Sequence, residues 1–125
     1  MDFKEKNKEL IEELKREGIK DKKVLEAIEN IPRHLFVKKE YLAEAYGNYP
    51  LPIGRDATIS QPYTVAFMLE NLELKKGLKV LEVGTGSGWN ASLIAYIIKP
   101  GKVYTTEIIP ELVEFAKENI KKVKI

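Results

Sequence analysis

The 125 residues carry 21 Lys and Arg against 19 Asp and Glu, with 44% hydrophobic and 32% charged residues, enough chain for one hydrophobic core. The formal net charge of +2 is spread through interleaved charges, which predicts no particular attraction to nucleic acid or acidic membranes. Cysteine is absent, excluding disulfides and thiolate metal sites; no apolar run reaches the roughly 18 residues of a membrane span, and MDFKEKNKEL lacks a secretory signal's apolar core, so the expected address is cytoplasmic.

Residues 3–17 place Phe3, Leu10, Ile11 and Leu14 at helical spacing, and Gly18 stands where that helix can stop. Asp21 is placed to cap a second helix with Val24, Leu25 and Ile28 on its apolar side, ending near Pro32. PRHLFV and the following YLAEAYGNYPLPIG are rich in Pro, Gly and Tyr, which predicts a long, irregular, packed loop. In it, the lone His34 is expected to pack rather than catalyse, Arg33 to pair structurally with a carboxylate, and Tyr46 and Tyr49, with Tyr63, to cover the core. A helix is expected over 63–72, its first turn suited by Pro62.

From Leu78 the pattern changes. Residues 79–83 form a short apolar strand running into glycines, 90–98 a helix, Pro100-Gly101 a turn, and 102–106 a second strand. A last helix over 110–122 carries Leu112, Val113, Phe115, Ala116 and Ile120 on its apolar side. Strand, glycine loop, helix, strand, helix is a βαβα unit, which predicts parallel strands with a crossover connection.

The loop itself is Gly84-Thr85-Gly86-Ser87-Gly88. A dinucleotide fingerprint needs a third glycine where Trp89 stands, and a P-loop needs a Lys after its last glycine, so both phosphate-binding patterns weaken. Glu107, about 20 residues on at the end of the second strand, can accept both hydroxyls of a ribose. Glu82 inside the first strand requires a partner: a cofactor amino group or sulfonium, or a nearby Lys.

With these residues read, the sequence resembles the class I S-adenosylmethionine-dependent methyltransferases, whose motif [DE]-x-G-x-G-x-G appears as Glu82 to Gly88. PRHLFV and YPLPIGRDATISQPYTVAFMLENL upstream are similar to the protein-L-isoaspartate O-methyltransferases, and the likeness runs from about Asp2 to Lys122. The resemblance implies methyl transfer from S-adenosyl-L-methionine to the α-carboxyl of isoaspartyl residues in damaged proteins, a repair reaction whose partners are isoaspartyl proteins or peptides. By position, Thr58, Ile59 and Ser60 would form the loop between cofactor and substrate, with Ser60 as the active-site serine and Val65 lining the pocket. Gly84, Gly86 and Gly88 would contact the methionine part and Glu107 the ribose; Glu82, Thr85 and Ser87 complete the cofactor-binding set.

An isoaspartyl carboxylate, with a pKa near 4, is already ionised at neutral pH, so the chemistry needs no general base. Alignment and hydrogen bonds to that carboxylate can carry it, and Ser60, with Thr58 nearby, can donate such bonds. From the residues alone Ser60 has a second reading, the N-cap of the helix at Pro62.

The implied fold is α/β: N-terminal helices followed by the start of a Rossmann-like class I methyltransferase parallel sheet, truncated after βαβα. Two parts are expected, residues 1–60 as a helical region with the substrate and cofactor loop, and 61–125 as a partial S-adenosylmethionine-binding unit. ENIKKVKI ends about where a third strand should begin, so a fragment, a split gene product with a complementing chain, or self-association through the open sheet edge are the expected explanations. Weak or no activity of the chain alone follows. The alternative function is a non-catalytic cofactor-binding or interaction module; an NAD-dependent oxidoreductase is disfavoured by Trp89 and the TISQP segment.

Overall fold

In the computed structural model, which describes Met1–Ile125 throughout, helix α1 (Phe3–Arg16) starts on Asp2, whose carboxylate accepts from Glu5 N–H at 3.0 Å. Helix α2 (Lys22–Asn30) starts on Asp21, as expected, with Oδ1 accepting from Lys23 and Val24 N–H at 2.9 and 3.4 Å. Leu10 and Leu14 of the first helix meet Val24, Ala27 and Ile28 of the second in the core. Asn7, also buried, ties the pair by donating to the Ile28 carbonyl at 3.0 Å.

The segment expected to be wholly irregular is more ordered than that. Two short 3-10 helices, Arg33–Phe36 and Lys39–Glu44, lead into an antiparallel hairpin of β1 (Leu51–Gly54) and β2 (Ala57–Ile59), with Leu51 opposite Ile59. The hairpin escapes sequence reading because its turn residues, Arg55 and Asp56, take φ of 54° and 59° without being glycine. Its inward side chains, Leu51, Ile53 and Ile59, are all buried, so packing holds the turn.

Helix α3 (Pro62–Asn71) follows. Its Glu70 accepts from the N–H groups of Lys20 and Asp21 at 2.8 Å each, which fixes it to the turn between the first two helices. Strand β3 (Lys79–Val83), helix α4 (Trp89–Ile98), strand β4 (Lys102–Thr106) and helix α5 (Pro110–Lys121) form the expected βαβα unit. The strands are parallel and in register from Lys79 opposite Lys102 to Val83 opposite Thr106. Helix α4 is almost wholly apolar and buries Trp89, Leu93, Ile94, Ile97 and Ile98 between the sheet and α2. The turn into β4 needs Gly101, where a Cβ would collide with the Leu78 carbonyl.

Only one face of this sheet is covered. Leu81 and Tyr104, paired across it, are exposed, as are Val83 at 83% and Ile108 at 94%. No helix is long and apolar enough to cross a membrane.

Candidate functional site

A cavity of about 390 Å³ opens where β3 ends. Thr58, Ile59 and Ser60 form one wall with Thr64, Val65, Met68, Leu69 and Leu72 of α3; Glu82 to Ser87, Trp89 and Asn90 form the other. The fold thus brings together Ser60, Thr58, Ile59, Val65, Glu82, Gly84, Thr85, Gly86 and Ser87. Gly88 and Glu107 do not line it. Gly88 is instead buried against α5: a Cβ there would sit 3.1 Å from the Ile120 side chain, and φ is +90°. Glu107 follows β4 directly beside the loop, its Oε1 accepting from Gly86 N–H at 2.9 Å and its Oε2 from Ile109 N–H at 3.2 Å.

The glycine loop is closed on itself. Gly84 and Thr85 donate to the Thr106 carbonyl at 2.8 and 3.0 Å, Gly86 to Glu107, Gly88 to the Thr85 carbonyl at 3.0 Å, and Trp89 to Ser87 Oγ at 3.2 Å. Of the six amides from Gly84 to Trp89, only that of Ser87 donates to no protein group. Two carbonyls are held as well, Ser87's by Asn119 Nδ2 at 3.0 Å and Gly88's by Ser92 Oγ at 2.8 Å. A phosphate site needs several convergent free N–H groups, which this loop does not offer.

Two carboxylates flank it without a cation. The ion pairs of the chain are Lys15–Glu12, Arg55–Glu111 and Lys117–Glu114, so the expected alternative of a Lys partner for Glu82 is overturned. Glu82 is satisfied by neutral donors: Thr105 Oγ1 donates to Oε1 at 2.6 Å and Asn90 Nδ2 to Oε2 at 2.7 Å. Thr105 Oγ1 lies 2.5 Å from Thr85 Oγ1, which extends the network into the loop. The carboxylate is thus held by neutral donors with no cation beside it, and it lines the cavity, where a positive ligand group can meet it.

The N-cap reading of Ser60 is also overturned. Gln61 occupies the cap position of α3 and gives no side-chain bond; Asn48 reaches in from the preceding segment, its Oδ1 accepting from Tyr63 N–H at 2.9 Å. Asn48's carbonyl also takes Gln61 Nε2 at 3.1 Å. Ser60 is exposed on the cavity wall, and its hydroxyl is engaged in no hydrogen bond. The hairpin roof is fixed at its tip by the Arg55–Glu111 pair to α5, and Ile53 reaches to within 3.7 Å of where a Gly86 Cβ would be.

Arg33 departs from expectation too: it is fully buried and pairs with backbone carbonyls and the Trp89 ring rather than with a carboxylate. Burial pulls its pKa down to about 9, which still leaves it protonated at neutral pH. His34 packs, as expected, stacked on Phe3 with centroids 4.0 Å apart, and its Nδ1 lies 2.8 Å from the Tyr46 hydroxyl. Burial lowers the His34 pKa and raises that of Tyr46. Tyr46 is buried and Tyr63 half-buried, but Tyr49 is exposed rather than covering the core.

Sequence reading missed Asn48, Asn90, Thr105 and Asn119. For Thr105 a signal existed, because in-register parallel strands put it opposite Glu82; the asparagines act across distances that no local pattern reports. No group of three or more His, Cys, Asp or Glu side chains is arranged to hold a metal ion.

Comparison with known proteins matches this geometry. A family model described as protein-L-isoaspartate(D-aspartate) O-methyltransferase covers residues 5–125. The protein-L-isoaspartate O-methyltransferase of Dictyoglomus turgidum is 56% identical over 119 residues, 95% of this chain and 53% of its own. That of Pyrococcus abyssi is 52% identical over 123 residues, 98% of this chain and 56% of its own. A Plasmodium falciparum chain given the same description, solved with S-adenosyl-L-homocysteine, superposes with a TM-score of 0.83 at 33% identity, covering 94% of this chain and 56% of that one. A second solved protein-L-isoaspartate O-methyltransferase gives 0.82 at 33% identity, over 93% of this chain and 38% of its own. The chain spans about half the length of the curated relatives it matches.

Proposed function

Because the chain belongs to the protein-L-isoaspartate O-methyltransferase family, we propose that it carries the cofactor side of that enzyme's site and serves protein repair in the cytoplasm. The observation that carries the reading is the closed glycine loop between two uncompensated carboxylates. Such a loop gives a phosphate few donors and two negative neighbours. It suits a ligand that brings positive charge and ribose hydroxyls, as S-adenosyl-L-methionine does.

When bound, that cofactor supplies a methyl group already activated on a sulfonium. The chain's own residues then have binding and orienting roles. Glu82, held by Thr105 and Asn90, offers its charge to the cationic part, and Gly84 and Gly86 let the backbone come close. Glu107 accepts from ribose hydroxyls, sharing the carboxylate that holds Gly86. Thr58, Ile59 and Val65 close the opposite wall. Ser60 and Thr58 donate hydrogen bonds to the incoming carboxylate, which needs no base at neutral pH. In this division residues 1–60 form the helical region with the substrate and cofactor loop, and 61–125 the partial S-adenosylmethionine-binding unit.

The exposed face of Leu81, Val83, Tyr104 and Ile108 is the place for further polypeptide, of the length by which the relatives exceed this chain, rather than for a second copy. The chain by itself is therefore weakly active or inactive on isoaspartyl substrates. Calorimetric titration with S-adenosyl-L-homocysteine, ATP and NAD tests the cofactor reading: binding of the first alone supports it, and binding of either phosphate compound in its place overturns it. Turnover of an isoaspartyl peptide with labelled S-adenosyl-L-methionine at a normal enzymatic rate would sink the claim of an incomplete site. Sedimentation at rising concentration separates an open face from a self-paired one.

A further inference from the structure

Arg33 has no exposed surface and no carboxylate partner. Its Nε–H donates to the Ala45 carbonyl at 2.8 Å and Nη2 to the Tyr49 carbonyl at 3.3 Å, while Nη1 is buried without a partner. Its Cζ lies 4.6 Å from the centroid of the Trp89 ring. Burying a guanidinium without a counter-ion costs desolvation free energy, offset here only by two carbonyl bonds and a ring face. Packing therefore does not account for a guanidinium at this point.

The segments it joins do account for it. Ala45 and Tyr49 bracket Asn48, which holds Tyr63 and Gln61 and so sets the wall that carries Ser60. Trp89 opens α4 directly after the glycine loop; its N–H donates to Ser87 Oγ, and its indole Nε1–H to the Ile31 carbonyl at 3.1 Å. One planar side chain thus bonds to the segment behind the first wall and lies against the anchor of the second. We infer that Arg33 is a positioning residue: it sets the spacing between the Ser60 wall and the glycine-loop wall of the cavity without touching what binds there. Lysine cannot reproduce this, because an ammonium has neither the fork nor the flat face.

Trp89 is the only tryptophan, so its emission reports on the contact directly. The test compares wild type with Arg33→Met and Arg33→Lys by circular dichroism, thermal unfolding, Trp89 emission with acrylamide quenching, and titration of S-adenosyl-L-homocysteine. Arg33→Met removes an unpaired buried charge but leaves the Ala45 carbonyl without its donor, so it is expected to stay folded with its midpoint shifted by no more than a few degrees, yet to shift Trp89 emission and weaken ligand binding about tenfold, as loss of a supporting residue does. Arg33→Lys is expected to fall between the two. Wild-type emission and quenching in Arg33→Met overturn the inference, as does wild-type affinity beside an altered emission. Should Arg33→Met fail to fold, Arg33→Lys decides alone: wild-type emission and affinity there overturn the inference, and a shift in both supports it. The binding arm rests on the cofactor reading; if wild type binds no S-adenosyl-L-homocysteine, that reading fails, and hydrogen exchange at the Tyr63 amide, held by Asn48, decides instead: faster exchange in Arg33→Met supports the spacing role and wild-type exchange overturns it.

Discussion

Thr105→Val removes one hydroxyl and keeps the branched shape that suits a strand. In the wild-type protein that hydroxyl donates to Glu82 at 2.6 Å and lies 2.5 Å from the Thr85 hydroxyl, which donates to it in turn. The variant leaves the Glu82 carboxylate with Asn90 alone and the Thr85 hydroxyl without this acceptor. A hydrogen bond to a charged group is worth about 1.5–3 kcal/mol and a neutral one about 1 kcal/mol. Glu82 is only half-buried, so water from the cavity replaces part of the first, and the expected loss is about 2 kcal/mol. With an unfolding entropy of about 2.1 cal/mol/K per residue over 125 residues, this lowers the thermal midpoint by about 8 °C.

Glu82→Gln is the control. Its amide can donate to Thr105 and accept from Asn90 while the Thr105 hydroxyl turns to Thr85, so the network stays closed and the midpoint moves by about 2 °C or less. Combining the two gives a double-mutant cycle with an expected coupling of about 1 kcal/mol, the difference between a charged and a neutral hydrogen bond. Urea unfolding of the four proteins, followed by circular dichroism, measures it. A loss under about 0.5 kcal/mol for Thr105→Val, or additivity within about 0.3 kcal/mol, refutes the network as drawn.

Asn48→Ala removes the α3 cap together with the Nδ2 bonds to Glu13 and Glu17 and should cost about 2 kcal/mol, about 8 °C in midpoint, whereas Ser60→Ala should leave the midpoint within about 1 °C; a Ser60→Ala loss of about 1 kcal/mol would restore Ser60 as the cap. Gly101→Ala drives a methyl into the Leu78 carbonyl and should destabilise by about 2 kcal/mol or more, visible as a lowered urea midpoint with unchanged slope. His34, the only histidine, should titrate in the folded protein below its ordinary value near 6.5. The unfolded chain then binds the proton first, so the His34 part of the stability is present above pH 6.5 and is lost as pH falls through the folded pKa. The difference between wild type and His34→Gln in pH-dependent unfolding isolates it, and an NMR titration midpoint at or above 6.5 refutes the assignment.

The βαβα unit was legible because each piece carries its own local signal: an apolar run into glycines, a Pro-Gly turn, and a helical stripe from Leu112 to Ile120. Asp21 was legible as a cap for the same reason, since its acceptor meets N–H groups two and three residues on. What was not legible lies in residues that act at a distance. Asn48 serves the helix that Ser60 seemed placed to cap, and Arg55 and Asp56 hold a left-handed turn that neither residue type announces. Glu82 looked in need of a cation because a sequence lists charges; strand register supplies neutral donors instead. The cavity has the same character: PRHLFV is a recognisable motif, but the partners of Arg33, the carbonyls of Ala45 and Tyr49 and the Trp89 ring, lie 12 to 56 positions away and are named by no local pattern.

The bond from the Trp89 indole to the Ile31 carbonyl spans 58 positions, whereas Glu82 and Thr105 are only 23 apart. Closing the longer loop carries about 0.8 kcal/mol more entropy loss, from the logarithmic dependence on length. The strand–helix–strand core can therefore assemble from near neighbours before the N-terminal helices clasp Trp89. Along that route the cavity would be completed last, when residues 31 and 89 meet, and refolding would then show Trp89 emission recovering after the circular dichroism signal.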